Sequence, residues 1–241
     1  MSSELHRQQI IDYVKKRSKW NDTTFHQVHW GAHESAFTSL SRNNQVMVVK
    51  LIHNLVNINV QNAKFYGKSS SCPCCLSHDK TLAHIFSCPS EGSIEHCAQA
   101  LVTLKADLTT ISTPTAVIEA MIYGMTLWVC HQTESELHVH TPTVGSLHGP
   151  DVLLTAALTE QYQSIGWYNF LLGRISVCWG KAVAMYNKST DPSYPTAWTT
   201  QTILLVWKFS CSLWIYRNTI AHGATDQEVA ANIRASLDDK V

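Results

Sequence analysis

CPCCLSHDKTLAHIFSCP, residues 72–89, interrupts a chain whose other segments read as helices, and its reading decides what kind of helical protein this is. Its eighteen residues hold four of the eight cysteines and two of the thirteen histidines. Cys72 and Cys75 form a C-x2-C pair, and after eight intervening residues His84 and Cys88 form H-x3-C. Short chelating loops bring two ligands together at low entropic cost, and Zn2+ takes four tetrahedral nitrogen or sulfur ligands. The spacing therefore predicts one closed site made of Cys72, Cys75, His84 and Cys88, with His84 and Cys88 one turn apart on a short helix. Four protein ligands leave no open position for a catalytic water. The expected role of the zinc is structural, supplying folding free energy to a segment with few apolar side chains. Cys74 and His78 compete for the same ion, but Cys74 faces away if Cys72 and Cys75 share a centre, so it is expected to be a spare thiol. Cysteines that merely fill a small core would not need this clustered spacing.

Outward from this segment, apolar residues recur three and four apart, which predicts helices. Ile10, Ile11 and Val14 mark a first helix with a basic end, and VHWGAHESAFTSL suggests a second. In NNQVMVVKLIHNLV, Asn43 or Asn44 can cap a helix with Val46, Val49, Ile52, His53 and Val56 along one side. Ser90 or Ser93 can cap a helix through Ala98, Leu101, Val102 and Leu104, and Thr113-Pro114 opens another. HQTESELHVHTPTVGSLHGP, with two prolines and two glycines, reads as a loop. Beyond it two helices meet near Gly166, a long helix runs from about Thr196 to His222 with Gly223 as its cap, and a last one spans 226–237. Alternating strand patterns and fixed-period repeats are nearly absent. The expected fold is all-α, with one small zinc-stapled segment and two loosely packed helical parts. These divide as residues 1–130 with the zinc segment, a linker at 131–150, and a tryptophan-rich part at 151–241.

A chain of 241 residues that is 45% hydrophobic can fill a core, and its formal charge is zero. It lacks the global positive field of strongly basic nucleic-acid binders. The charge is uneven, however: residues 1–71 carry nine Lys/Arg against four Asp/Glu. The start has no apolar leader, and the clustered cysteines suit a reducing compartment, so the expected location is intracellular, nuclear or cytoplasmic. TILLVWKFSCSLWIY, the most apolar window, contains Lys208 and is too short for a membrane span, so no membrane partner is expected.

CPCCLSHDKTLAHIFSCP resembles the zinc-binding segment found downstream of the reverse transcriptase core in non-LTR retrotransposon proteins, at Cys72, Cys75, Thr81, His84 and Cys88. VHW near Trp30, the Lys50/His53 spacing, and the IGW, GRIS and LWIYRNTIAHG stretches look like the flanks of such segments. The resemblance implies a structural zinc, contact with nucleic acid, and a separate reverse transcriptase as possible partner. It does not extend to a polymerase, because there is no aromatic-x-Asp-Asp signature; the Asp238-Asp239 pair follows Ser-Leu at the tail.

For RNA or single-stranded DNA, the candidate contacts are Lys15, Lys16, Arg17 and Lys19 with Trp20 as a stacking ring, extended by Lys64 and Lys68. The same cations also suit a solvated helix end that complements the helix dipole. RNTIAH, Arg217 to His222, fits the R-N-x3-H pattern of HEPN helical ribonucleases, in which arginine steadies phosphorane charge and histidine moves a proton. The pattern is short, and a capping histidine with a surface or ion-pairing arginine explains it more readily. A third reading is a protein-interaction tail. Trp167, Trp179, Trp198, Trp207 and Trp214 are expected in the core rather than at an interface, and His26, His29, His33, His138 and His140 are not expected to form a second metal site. Phosphate-loop, dinucleotide, H-E-x-x-H and G-x-S-x-G patterns are missing, and the acidic residues are scattered. The chain is therefore expected to be no enzyme.

Overall fold

The structure, a computed structural model, describes residues 2–56, 69–131, 149–223 and 227–228. The chain is all-α. Among the described residues there is no named strand, only isolated antiparallel bridges at Val28 with Ser176 and at Ser71 with Asp79. The helices in order are α1 (Ser2–Ser18), α2 (Asp22–Gln27), α3 (Trp30–Ser39), α4 (Arg42–Ile52), α5 (Leu82–Phe86), α6 (Glu91–Thr110) and α7 (Thr115–His131). Then follow α8 (Pro150–Glu160), a π turn (Gln161–Ile165), α9 (Trp167–Leu171), α10 (Val177–Tyr186) and α11 (Tyr194–His222). No helix among the described residues is long and apolar enough to cross a membrane.

Contacts group the chain into two compact units, 1–39 with 107–206 and 40–106 with 207–241. Each unit draws on segments from both sides of 131–150. Residues 132–148, most of that expected linker, lie outside the described residues, as does most of the helix expected at 226–237.

In the first unit α10 packs along α8, and α9 meets α7. Trp167, Phe170 and Trp179 form its aromatic centre, with ring centroids 5.1 Å apart for Trp167 and Phe170 and 6.5 Å from each to Trp179. Gly124 on α7 permits this packing, because a Cβ there would stand 1.9 Å from the Trp167 ring. Gly180 on α10 likewise leaves room for the Pro195 carbonyl, 2.6 Å from where a Cβ would be. Trp198 is also buried, and its indole N–H donates to Thr113 Oγ1 at 2.9 Å.

Where two helices meeting near Gly166 were expected, there are three helices and a π turn. The π turn directs the Gln161 amide inward, to donate to the carbonyls of Gly166 (3.1 Å) and Arg174 (3.3 Å) and accept from the Ser176 N–H (3.2 Å). Wide turns of this kind are usually single insertions inside helices and leave the apolar period almost unchanged. Gly166 ends the run with a φ of 87°, a conformation glycine adopts without a Cβ clash.

In the second unit α4 starts after Ser41 rather than at Asn43 or Asn44. Its buried side is Val48 and Leu51, continued by Val56, whereas Val46 is 44% and Val49 37% exposed. Val46, Met47, Val48 and Val49 are four apolar residues in succession, so within them periodicity alone could not choose the buried position. On α6, Cys97 and Leu104 are buried and Val102 is exposed. From the end of α11, Trp207, Phe209 and Leu213 enter the core, and Trp214 is half-buried. Gly223 closes α11 as expected, with φ 105° and its N–H donated to the Thr219 carbonyl at 2.9 Å.

Candidate metal centre

Residues 69–89 form a small loop that its own backbone holds shut. The Cys72 N–H donates to the His78 carbonyl (2.7 Å) and the Lys80 N–H to the Ser70 carbonyl (2.8 Å) on either side of the Ser71–Asp79 bridge. Inside it, the Leu76 N–H reaches back to the Cys72 carbonyl at 2.9 Å, and the Cys74 N–H points at Cys72 Sγ at 3.4 Å. Thr81 then caps α5, its Oγ1 accepting from the His84 N–H at 3.0 Å. This bond gives the motif's threonine a function: it starts the five-residue helix that presents His84. The helix stops at Phe86, so Cys88 lies one residue past its C-cap Ser87 rather than on the helix with His84.

The ligand atoms of Cys72, Cys75, His84 and Cys88 all lie within 4.8 Å of one another. Cys72 Sγ is 3.8 Å from Cys88 Sγ, and Cys75 Sγ is 3.4 Å from His84 Nε2. A tetrahedral zinc site with Zn–S near 2.3 Å and Zn–N near 2.0 Å has edges of about 3.8 Å between sulfurs and about 3.5 Å between sulfur and nitrogen. A disulfide would require about 2.05 Å, and all four of these side chains are free thiols or imidazole. The donor set can hold a metal ion. Cys74 stays outside it. His78 sits on its outer edge, stacked on the His84 ring at 5.3 Å, with Nδ1 3.8 Å from Cys75 Sγ and 2.8 Å from Ser77 Oγ.

Burial pushes the Cys72 thiol up to about 12, against the backbone N–H groups of Cys75 and Cys74 and the charge of Arg217, which lower it. At Cys75 burial also raises the thiol, but hydrogen bonds from Ser77 and His78 outweigh it and bring the group down to about 5. Burial holds His84 below the ordinary imidazole range, with the Cys75 hydrogen bond opposing and Arg217 assisting. His84 therefore favours the neutral form that ligates metals.

Two cations adjoin these donors. Arg217, on α11, and Lys80 are each 1% exposed, among the largest fully buried side chains of the chain. Arg217 Nη2 donates to Cys72 Sγ, while Nε and Nη1 are buried with no hydrogen-bond partner among the described residues. Neither cation forms an ion pair with a carboxylate among those residues. A buried cation needs an anion beside it or loses several kcal/mol of solvation. Three thiolates on one Zn2+ carry a net charge of about −1 and supply that anion, whereas a neutral Cys72 thiol does not. The orphaned guanidinium thus fits a metal-thiolate centre.

Sequence reasoning placed neither cation beside the cysteine cluster. Arg217 had a signal, since it continues the stripe of Trp207, Ser210 and Trp214 on α11, where a charge breaks an otherwise buried row. Its place also bears on the R-N-x3-H reading: the guanidinium that would face a scissile phosphate is buried against Cys72. It is not a surface residue, and no carboxylate among the described residues pairs with it.

The described nucleic-acid candidates, at and just beyond the end of α1, differ in their surroundings. Lys15 is tied to Asp22 at 2.6 Å and to Asp12 at 3.7 Å. Arg17 donates to the Tyr13 hydroxyl at 3.0 Å. Trp20 is half-buried with the Arg174 guanidinium over its ring at 5.4 Å, so one face is already covered. Lys16 and Lys19 are exposed, and Lys64 and Lys68 lie outside the described residues. Among the described residues no second set of three or more donors within metal reach exists: His29 faces Thr196 Oγ1 at 3.3 Å, and His138 and His140 are not described.

No protein-family model, curated protein or solved structure matches the chain.

Proposed function

We propose that the chain is a non-enzymatic helical protein whose Cys72, Cys75, His84 and Cys88 hold one structural zinc ion. We further propose that it acts as a retroelement-type tail contacting RNA or single-stranded DNA. The observation that carries the metal half is the convergence of the four donor atoms within 4.8 Å on an otherwise self-closed loop. The zinc, when bound, cross-links the loop of Cys72 and Cys75 to the α5 segment. The chain's own residues set the donor geometry through the Thr81 cap and the Cys72–His78 backbone bond. Elemental analysis of the purified protein is expected to give one zinc per chain, and none in a Cys75→Ser, Cys88→Ser double variant. A wild-type chain purified without any bound transition metal would remove the reading.

Support for the nucleic-acid half is the resemblance of residues 72–88 to the retrotransposon segment, together with the exposed Lys16 and Lys19 at the end of α1. A reverse transcriptase encoded elsewhere is the protein partner this reading implies. Titration of labelled RNA and single-stranded DNA at low and high salt is expected to show binding that weakens as salt rises. Lys16→Ala with Lys19→Ala should weaken it further. Absence of binding at low salt would leave a metal-stapled helical protein without this role.

A further inference from the structure

Arg217 is separated from Cys72 by 145 residues of sequence, yet its Nη2 donates directly to that sulfur. Its remaining buried nitrogens, Nε and Nη1, meet no acceptor among the described residues. A thiol is a weak acceptor and would not compensate a desolvated guanidinium, while a metal-bound thiolate is both an acceptor and an anion. Among the described residues no carboxylate pairs with Arg217 either. Lys80 is a second buried cation, His78 is stacked on the outer edge, and Asp79 is turned to Ser70 Oγ at 2.5 Å.

From this arrangement we infer that Arg217 is the positioning residue of the metal centre: its N–H···S bond holds Cys72 in the ligand set and offsets the charge of a zinc carrying three thiolates and one imidazole. The inference rests on the zinc reading and adds to it a role for the end of α11. Outer-sphere groups of this kind commonly change metal affinity by about 10–100-fold when removed. Hydrogen bonding to a ligating sulfur lowers the energy of its lone pairs. It therefore also marks the electronic spectrum of the centre, which a purely space-filling arginine would not do.

The test uses the full chain loaded with Zn2+ or Co2+, comparing wild type with Arg217→Met, Arg217→Lys and Lys80→Met. Zinc transfer to a chromogenic chelator should be about 10–100-fold faster in Arg217→Met, in line with the outer-sphere range. The sulfur-to-cobalt charge-transfer band of that variant should move to lower energy. Arg217→Lys, which restores a cation and one donor, should recover part of both changes, and Lys80→Met should speed release without moving the band as far. A folded Arg217→Met with wild-type release and band position would overturn the inference while leaving the zinc in place. Should Arg217→Met fail to fold, Arg217→Lys decides: intermediate release and band position support the inference, and wild-type values for both overturn it. A wild-type chain that binds neither metal would instead remove the zinc reading itself.

Discussion

The first unit buries Trp167, Phe170, Trp179 and Trp198, while the second buries Cys72, Lys80, His84 and Arg217. Aromatic side chains such as the first set each remove a large apolar area from water, and that burial stabilises without help from any ligand. The second set contributes little of this kind. Desolvating Lys80 and Arg217 costs several kcal/mol, which apolar neighbours cannot return. The two units therefore differ in what they add to apolar packing. One is held by close packing around rings and two small glycines, while the other, besides its own apolar core of Leu51, Phe86, Trp207 and Phe209, encloses two buried cations beside the four clustered donors.

On the zinc reading proposed above, removing the metal should break this contrast most sharply. Structural zinc contributes roughly 10–16 kcal/mol in small zinc-binding peptides. The Cys75→Ser, Cys88→Ser variant is expected to lose hydrogen-exchange protection over residues 72–88 and the end of α11, with α8 and α10 still protected. Equal loss in both units would erase the distinction. The converse variant, Trp179→Ala, should cost about 3–5 kcal/mol by opening a cavity. Urea unfolding would measure this loss, and zinc per chain should stay at one.

A third experiment uses pH. His33, in the first unit, is pushed down to about 4 from 6.5, by burial first and by the charge of Arg174 second, against a hydrogen bond with the Leu172 backbone. Between those values the unfolded chain binds the proton and the folded chain does not, so stability falls as pH drops through this window. At about 1.4 kcal/mol per pK unit the loss approaches roughly 3 kcal/mol near pH 4. Melting temperatures across this range should show it, and His33→Gln should flatten the slope. The smallest effect is expected from Gly180→Ala. Its Cβ would crowd the Pro195 carbonyl, an overpacking cost of about 1–3 kcal/mol, partly offset by about 1 kcal/mol of helix propensity. Chemical denaturation of the variant would measure the difference.

The clustering of Cys72, Cys75, His84 and Cys88 was legible in the sequence because all four come from one local segment, where chelate spacing is a physical constraint. The all-α class was legible for a similar reason, since helical period and caps such as Gly223 are local. The phase of α4 was not, because Val46, Val48 and Val49 are equally apolar and only the tertiary partner selects Val48. The π turn was hidden by a period that it barely disturbs. Arg217 escaped because no local rule couples it to Cys72, and the grouping of 1–39 with 107–206 escaped for the same lack of a long-range signal.

The separation of Cys72 from Arg217 also orders events during synthesis. At about 5–20 residues per second the cysteine loop emerges on the order of 10 s before the arginine is made. Throughout that interval its thiols have no guanidinium beside them. On the zinc reading, a nascent or prematurely terminated chain ending before Arg217 therefore has only Lys80 to offset the anionic centre once it captures an ion. On that reading the centre is completed only when the last turns of α11 leave the ribosome.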